Sequence, residues 1–130
     1  MPSILIVDDN EQVCGVLREA FERAGYQVRI ALNGHEGTIR YREVPADLVI
    51  LDILMPEKEG LETLIELRRD FPAIKVIAIS GGSERAHVNL LDLAKRLGAL
   101  HTLRKPFEMK ALVDLATSLI APSHDQTSLN

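Results

Sequence analysis

Short apolar runs recur along this chain at intervals too long for hairpins, and that spacing constrains the fold more than any other feature. "SILIV" (3–7), "LVIL" (48–51) and "VIAI" (76–79) are rich in β-branched residues and apolar throughout their middles. Such runs read as strands covered on both faces. Between them the apolar residues fall into helical period. Val13, Val16, Leu17, Ala20, Phe21 and Ala24 form the first stripe, with Asn10 (or Asp9) placed to cap its start and Gly25 placed as a left-handed stop. Val28, Ile30 and Leu32 alternate with polar residues as a second strand, closed by Asn33-Gly34. Residues 35–44 are helical by position, although Gly37 and Thr38 are poor helix formers. Leu61, Leu64, Ile65 and Arg68 open a helix that Pro72 stops, and Leu90, Leu93, Ala94 and Leu97 stripe another that ends at Gly98. "ALHTLRK" (99–105) is a fifth, less apolar strand, and Met109, Leu112, Val113, Ala116, Leu119 and Ile120 form the last stripe. The order is (βα)5, which predicts an α/β protein with a parallel sheet and helices on both faces. One domain spans residues 1–121, and the polar residues 122–130 read as a disordered tail or a truncated linker.

Composition excludes several functional classes. At 130 residues the chain suits a single core. A net charge of -4 argues against a nucleic-acid surface, which needs a basic stripe. Its single cysteine, Cys14, rules out an internal disulfide or a multi-cysteine metal site. No apolar run reaches the ~18 residues of a membrane span, so a cytoplasmic location with no membrane contact is the default expectation.

The strand ends carry the chemistry. Asp8 and Asp9 follow the first apolar run, Asp52 ends the third strand, Ser80 the fourth and Lys105 the fifth. Taken singly, each has an ordinary reading: a helix cap, a loop entry, a turn residue ahead of glycines, a solvated lysine before a turn. In a parallel sheet, however, all these ends lie on one edge, where open α/β folds bind their ligands. Three carboxylates, a hydroxyl and an ammonium therefore converge there. Carboxylates side by side repel one another, and an all-oxygen set of this kind suits Mg²⁺, with Mn²⁺ able to substitute. With a cation present, one carboxylate can act as a nucleophile on phosphorus, giving an acyl phosphate. Lys105, Ser80 and backbone N–H groups near Gly81-Gly82 can then neutralise the transferring oxygens.

The motifs "ILIVDDN", "DLVILDILMPEKEG", "VIAISGG" and "LRKPF", with the spacing between them, resemble the receiver domain of two-component response regulators from about Ile4 to Ile120. The resemblance implies a flavodoxin-like three-layer sandwich with strand order 2-1-3-4-5. It implies Asp52 as phosphoacceptor, and a Mg²⁺ site of Asp8, Asp9, Asp52 and the backbone carbonyl of Leu54. Ser80 and Lys105 would contact the phosphoryl group, and a cis bond is expected at Lys105-Pro106. The implied partners are a sensor histidine kinase or phosphotransfer protein, which donates the phosphoryl group, and a downstream effector protein or missing effector domain. Family members also dimerise or bind targets through the helix 4–strand 5–helix 5 face. Such a chain is a signalling domain that catalyses its own phosphorylation and dephosphorylation, not an enzyme acting on other substrates.

Departures from the family pattern are equally specific. Thr102, with His101 beside it, stands where the family carries an aromatic switch residue, so a ring flip is not available. The alternative function is a pseudo-receiver, a phosphorylation-independent protein-binding module. A Mg²⁺-dependent phosphatase is disfavoured because neither Asp8 nor Asp52 is followed two residues on by a second Asp. Gly81 replaces the usual alanine and loosens its loop. Leu54 offers no polar group to orient water, while Gly82 leaves the approach open, and the balance is read as a long-lived phosphoryl group. Elsewhere the sequence suggests plainer roles. His35, His87, His101 and His124 lack metal-ligand spacing, and Cys14 reads as semi-buried packing. Gly60 permits a turn into helix 3, and Glu57-Lys58-Glu59 reads as a solvated loop. Val16 and Ala20 are assigned to the core, near the rim where the family docks its kinase.

Overall fold

A computed structural model describes residues 2–54, 59–81 and 84–121, with backbone alone for 84–89. Met55 to Lys58, Gly82, the His87 side chain, His124 and the expected 122–130 tail lie outside the described residues. Five strands and five helices alternate: β1 (Ser3–Val7), α1 (Glu11–Arg23), β2 (Gln27–Ala31), α2 (Gly34–Glu43), β3 (Leu48–Asp52), α3 (Glu59–Asp70), β4 (Val76–Ser80), α4 (Glu84–Arg96), β5 (His101–Arg104) and α5 (Met109–Ile120). All neighbours are parallel and the sheet order is β2-β1-β3-β4-β5, the expected flavodoxin-like topology.

Alternation along the central strands sends successive side chains into two cores. Ile4, Ile6, Ile50 and Ile77 meet Leu17 and Phe21 of α1 and Leu112 of α5. Leu5, Val7, Val49, Leu51 and Ala78 meet Tyr41 of α2, Leu64 and Leu67 of α3 and Ala94 of α4. Caps fall largely where the sequence puts them. The Asn10 side chain accepts hydrogen bonds from the Gln12 and Val13 N–H groups, and Gly25 and Gly98 take positive φ at the ends of α1 and α4.

Three helices are rotated from the faces their apolar stripes suggest. Val16 is 58% exposed, Ile65 47% and Leu93 42%. In α1 the buried line is instead Cys14, Leu17 and Phe21, so Cys14 is a core residue, not a semi-buried one. Leu32 lies beyond β2, and Asn33, read as a turn residue, caps α2 by accepting from the Glu36 N–H. The weak helix formers of α2 have a packing reason. A Cβ at Gly37 would come within 2.8 Å of Val7 Cγ2, and one at Gly34 would collide with Thr63 Oγ1. Thr38 turns its hydroxyl onto the Gly34 carbonyl. Here α2 accepts low intrinsic propensity in exchange for close approach to the sheet and to α3.

Candidate functional site

Sheet register assembles the site. Val7 pairs with Leu51, so Asp8 and Asp52 leave neighbouring strands at the same level. Asp52 pairs with Ile79, setting Ser80 one residue further, and Ser80 pairs with Arg104, leaving Lys105 just past the end of β5. One carboxylate oxygen from each of Asp8, Asp9 and Asp52 lies within 4.8 Å of the others. Asp8, Asp52 and Ser80 are buried, whereas Asp9 is exposed. The edge thus has a shielded floor and one acid open to solvent.

Each buried carboxylate is held in the same way. Asp8 Oδ1 accepts from the N–H of Asn10, and Asp52 Oδ1 from the N–H of Leu54, both at 2.9 Å. These turns use the side chain to satisfy a backbone donor two residues on, leaving Oδ2 of each acid facing Lys105. The Lys105 ammonium stands 3.3 Å from Asp8 Oδ2 and 3.5 Å from Asp52 Oδ2. Its backbone N–H donates to the Ser80 carbonyl at 2.8 Å, and the Lys105-Pro106 bond is cis as expected. The Ser80 hydroxyl donates to the Gly81 carbonyl at 3.2 Å. Leu54 sits exposed at the rim, and Thr102 lies within β5 opposite Ala78.

Electrostatics follow from burial. Desolvation, then the charge of Asp8, pushes Asp52 up to about 6, against the opposing pull of the Leu54 N–H and Lys105. Burial alone would lower Lys105, but the Asp52 and Asp8 carboxylates outweigh it and hold the ammonium above its ordinary value. Asp52 is therefore mostly ionised at neutral pH and held beside a permanent cation. Among the described residues the converging groups that could ligate a metal are these three carboxylates, an all-oxygen set that fits a hard divalent cation.

Two supporting residues were not legible as such. The Cys14 thiol donates to the Asp8 carbonyl at 3.3 Å, bracing the β1–α1 turn from beneath. Burial, reinforced by Asp8, pushes that thiol up to about 11, so it is an inert packing group. Glu59 was read as part of a solvated loop. Instead it begins α3 and accepts from the Gly34 N–H at 3.0 Å. An acid in a helix's first turn, just ahead of the apolar period, is the signal that could have found it. Gly60 serves close approach more than turning: a Cβ there would meet the Asp52 carbonyl oxygen at 2.5 Å and collide with Ile53 Cα. Beside Lys105 an apolar groove of about 370 Å³ opens between α1 and the β5–α5 connection, lined by Val13, Val16, Pro106 and Phe107 among others. Of the histidines, His35 and His101 are exposed and stand apart from the acids.

A parallel 2-1-3-4-5 sheet with three acids, a buried serine and a lysine at its carboxyl edge defines a receiver-type α/β domain. Comparison with known proteins agrees. The chain belongs to the response regulator receiver domain family, which it matches over residues 4–117. It is 34% identical over 124 residues to the transcriptional regulatory protein CpxR of Klebsiella pneumoniae, covering 95% of this chain and 51% of that protein. To the chemotaxis protein CheY of Thermotoga maritima it is 33% identical over 112 residues, 85% of this chain and 91% of that one. The receiver domain of NtrX from Brucella abortus superposes with a TM-score of 0.84 at 26% identity, covering 92% of this chain and 99% of that one. The chain thus spans about half the length of the CpxR relatives and nearly all of the single-domain ones. It is a two-component response regulator receiver domain. Among the described residues no helix is long and apolar enough to cross a membrane.

Proposed function

We propose that Asp52 accepts a phosphoryl group from a phosphohistidine on a sensor histidine kinase or phosphotransfer protein, with Mg²⁺ held by Asp8, Asp9, Asp52 and the Leu54 carbonyl. The single observation that carries this reading is the buried Asp52 carboxylate, with one oxygen engaged by the Leu54 N–H and the other facing Lys105. An Asp52 oxygen forms a bond to phosphorus as the phosphorus–nitrogen bond breaks, and the imidazole leaves with that electron pair. When bound, the divalent cation supplies charge neutralisation for the acids and for the incoming phosphoryl oxygens. Lys105 balances the charge that develops on those oxygens, and the Ser80 hydroxyl leaves the Gly81 carbonyl to donate to one of them. The buried floor keeps water away from the acceptor, while the exposed Leu54 presents no group that could orient a hydrolytic water. Both features support a long-lived phosphoryl group.

The apolar groove beside Lys105, with Val16 exposed on its wall, supports docking of the phosphodonor protein there. Exposed Leu93, Leu100, His101 and Arg104 support an output contact on the α4–β5–α5 face, by homodimerisation or with an effector. The complete set of acids, serine and lysine favours phosphorylation over a phosphorylation-independent module, for which Thr102 is the sole argument. Intact mass after incubation with Mg²⁺ and a small acyl phosphate tests the reading. A gain of one phosphoryl group in the native chain, absent in Asp52→Asn and without Mg²⁺, is the expected result. No gain in a chain that binds Mg²⁺ would overturn it.

A further inference from the structure

We infer that Glu59 is a positioning residue for the cation pocket, acting as a clamp that holds the first turn of α3 against the end of β3. The inference rests on the proposed cation site and assigns it a support outside the acids themselves. Asp8 and Asp52 stand on paired strands and are placed by the ladder. Leu54 is not. It lies beyond β3, tied on its upstream side by its own N–H to Asp52 Oδ1. Downstream, the next described residues are Glu59 and Gly60 at the start of α3. Gly60 rests on the Asp52 carbonyl and Ile53 backbone so closely that no Cβ fits. Glu59 ties the same turn sideways, its carboxylate accepting from the Gly34 N–H at the first residue of α2. That N–H is one of the donors a helix start leaves without an intrahelical partner, and the negative charge there also suits the α2 dipole.

The tie continues to the acid pair. Helix α2 lies against Val7 through Gly37, and Val7 immediately precedes Asp8. The Glu59–Gly34 bond therefore links the element packed beneath the acid pair to the turn packed on Asp52. Releasing it leaves the strands paired and both cores filled, but frees the first turn of α3 to lift from the Asp52–Ile53 backbone against which Gly60 rests, the backbone that leads directly into the Leu54 carbonyl. Groups that hydrogen-bond a cation's ligands commonly change its affinity 10–100-fold when lost, and Glu59, which acts at one further remove through the turn packed on Asp52, belongs at the low end of that range.

Three variants separate this role from simple stability. Glu59→Ala removes the acceptor, Glu59→Gln keeps an oxygen that can accept from Gly34, and Glu62→Ala removes an equal charge from the exposed face of the same turn. Mg²⁺ affinity is measured by titration followed through backbone amide NMR shifts, with urea denaturation of the metal-free proteins alongside. The expected result is about a tenfold weaker Mg²⁺ affinity in Glu59→Ala, near-native affinity in Glu59→Gln, and no change in Glu62→Ala. The Gly34 amide should also move to the shift of an unbonded N–H in Glu59→Ala alone. Unchanged affinity in a folded Glu59→Ala, or an equal loss in all three variants, would overturn the inference. Absence of Mg²⁺ binding by the native chain would instead overturn the cation site on which it rests.

Discussion

Replacing Asp52 by asparagine should stabilise the metal-free protein at neutral pH. Folding raises this carboxyl from its ordinary 3.8 to about 6, chiefly by burial and then by the charge of Asp8. The native state therefore holds the proton more tightly than the unfolded chain. As pH rises from 3.8 through 6, the unfolded chain gives up its proton first, and stability falls; above 6 the deficit is constant. At about 1.4 kcal/mol per pH unit, the deficit at neutral pH is roughly 3 kcal/mol. Asparagine has the shape of the protonated acid and no charge to bury, so Asp52→Asn should gain up to about 3 kcal/mol near pH 7.5 and only a small part of that near pH 4, where the unfolded carboxyl is itself still largely protonated. The chain has no tryptophan, so urea unfolding is best followed by far-UV circular dichroism, in buffer stripped of divalent ions. A variant no more stable than the native protein near pH 7.5, or a gap that does not shrink on acidification, would refute the reasoning. Mg²⁺ should close the gap from the other side. At a hundred times its dissociation constant it adds about 2.7 kcal/mol to a chain that binds it.

Other expectations concern the frame around the site. Gly60→Ala should cost about 3 kcal/mol because the new Cβ meets backbone that cannot turn aside. Gly37→Ala, which meets the Val7 side chain alone, its two methyls at 2.8 and 3.1 Å, and gains about 1 kcal/mol of helix propensity, should cost about 1 kcal/mol or less; chemical denaturation ranks the two, and the reverse order would refute the packing account. Cys14, with its thiol pushed up to about 11, should resist an aromatic disulfide reagent while the chain is folded and react stoichiometrically in denaturant. Rapid labelling of the native protein would show that the β1–α1 turn opens.

The order of elements and the convergence of Asp8, Asp52, Ser80 and Lys105 were readable in advance because both depend on periodicity and chain order, which a sequence states directly. Helix rotation was not. In α1 the apolar set is wide enough to be laid on the sheet in more than one way. Choosing Val16 over Cys14 follows hydrophobicity, whereas the sheet chooses the line through Cys14, Leu17 and Phe21. Ile65 and Leu93 differ for the same reason. Helix α2 was hard to read because its glycines answer to neighbours distant in sequence, Val7 and Thr63, not to local propensity. Glu59 was missed because nothing near it in the chain reveals an unpaired N–H 25 residues upstream. Residues whose role is set by a partner in space look like solvated polar residues until the fold is known.

The ion pair between Lys105 and Asp8 joins positions 97 residues apart, and this separation bears on how the chain comes into use. The chain emerges from synthesis at about 5–20 residues per second, so Asp8 and Asp52 are present well before the strand that precedes Lys105. Until β5 docks on β4, Asp8 and Asp52 lack the Lys105 ammonium that stands 3.3 and 3.5 Å from them in the folded domain. A nascent or partly folded chain thus carries Asp8 and Asp52 without the ammonium that faces both in the finished domain. The pairing of charges at the sheet edge is a property only of the completed fold.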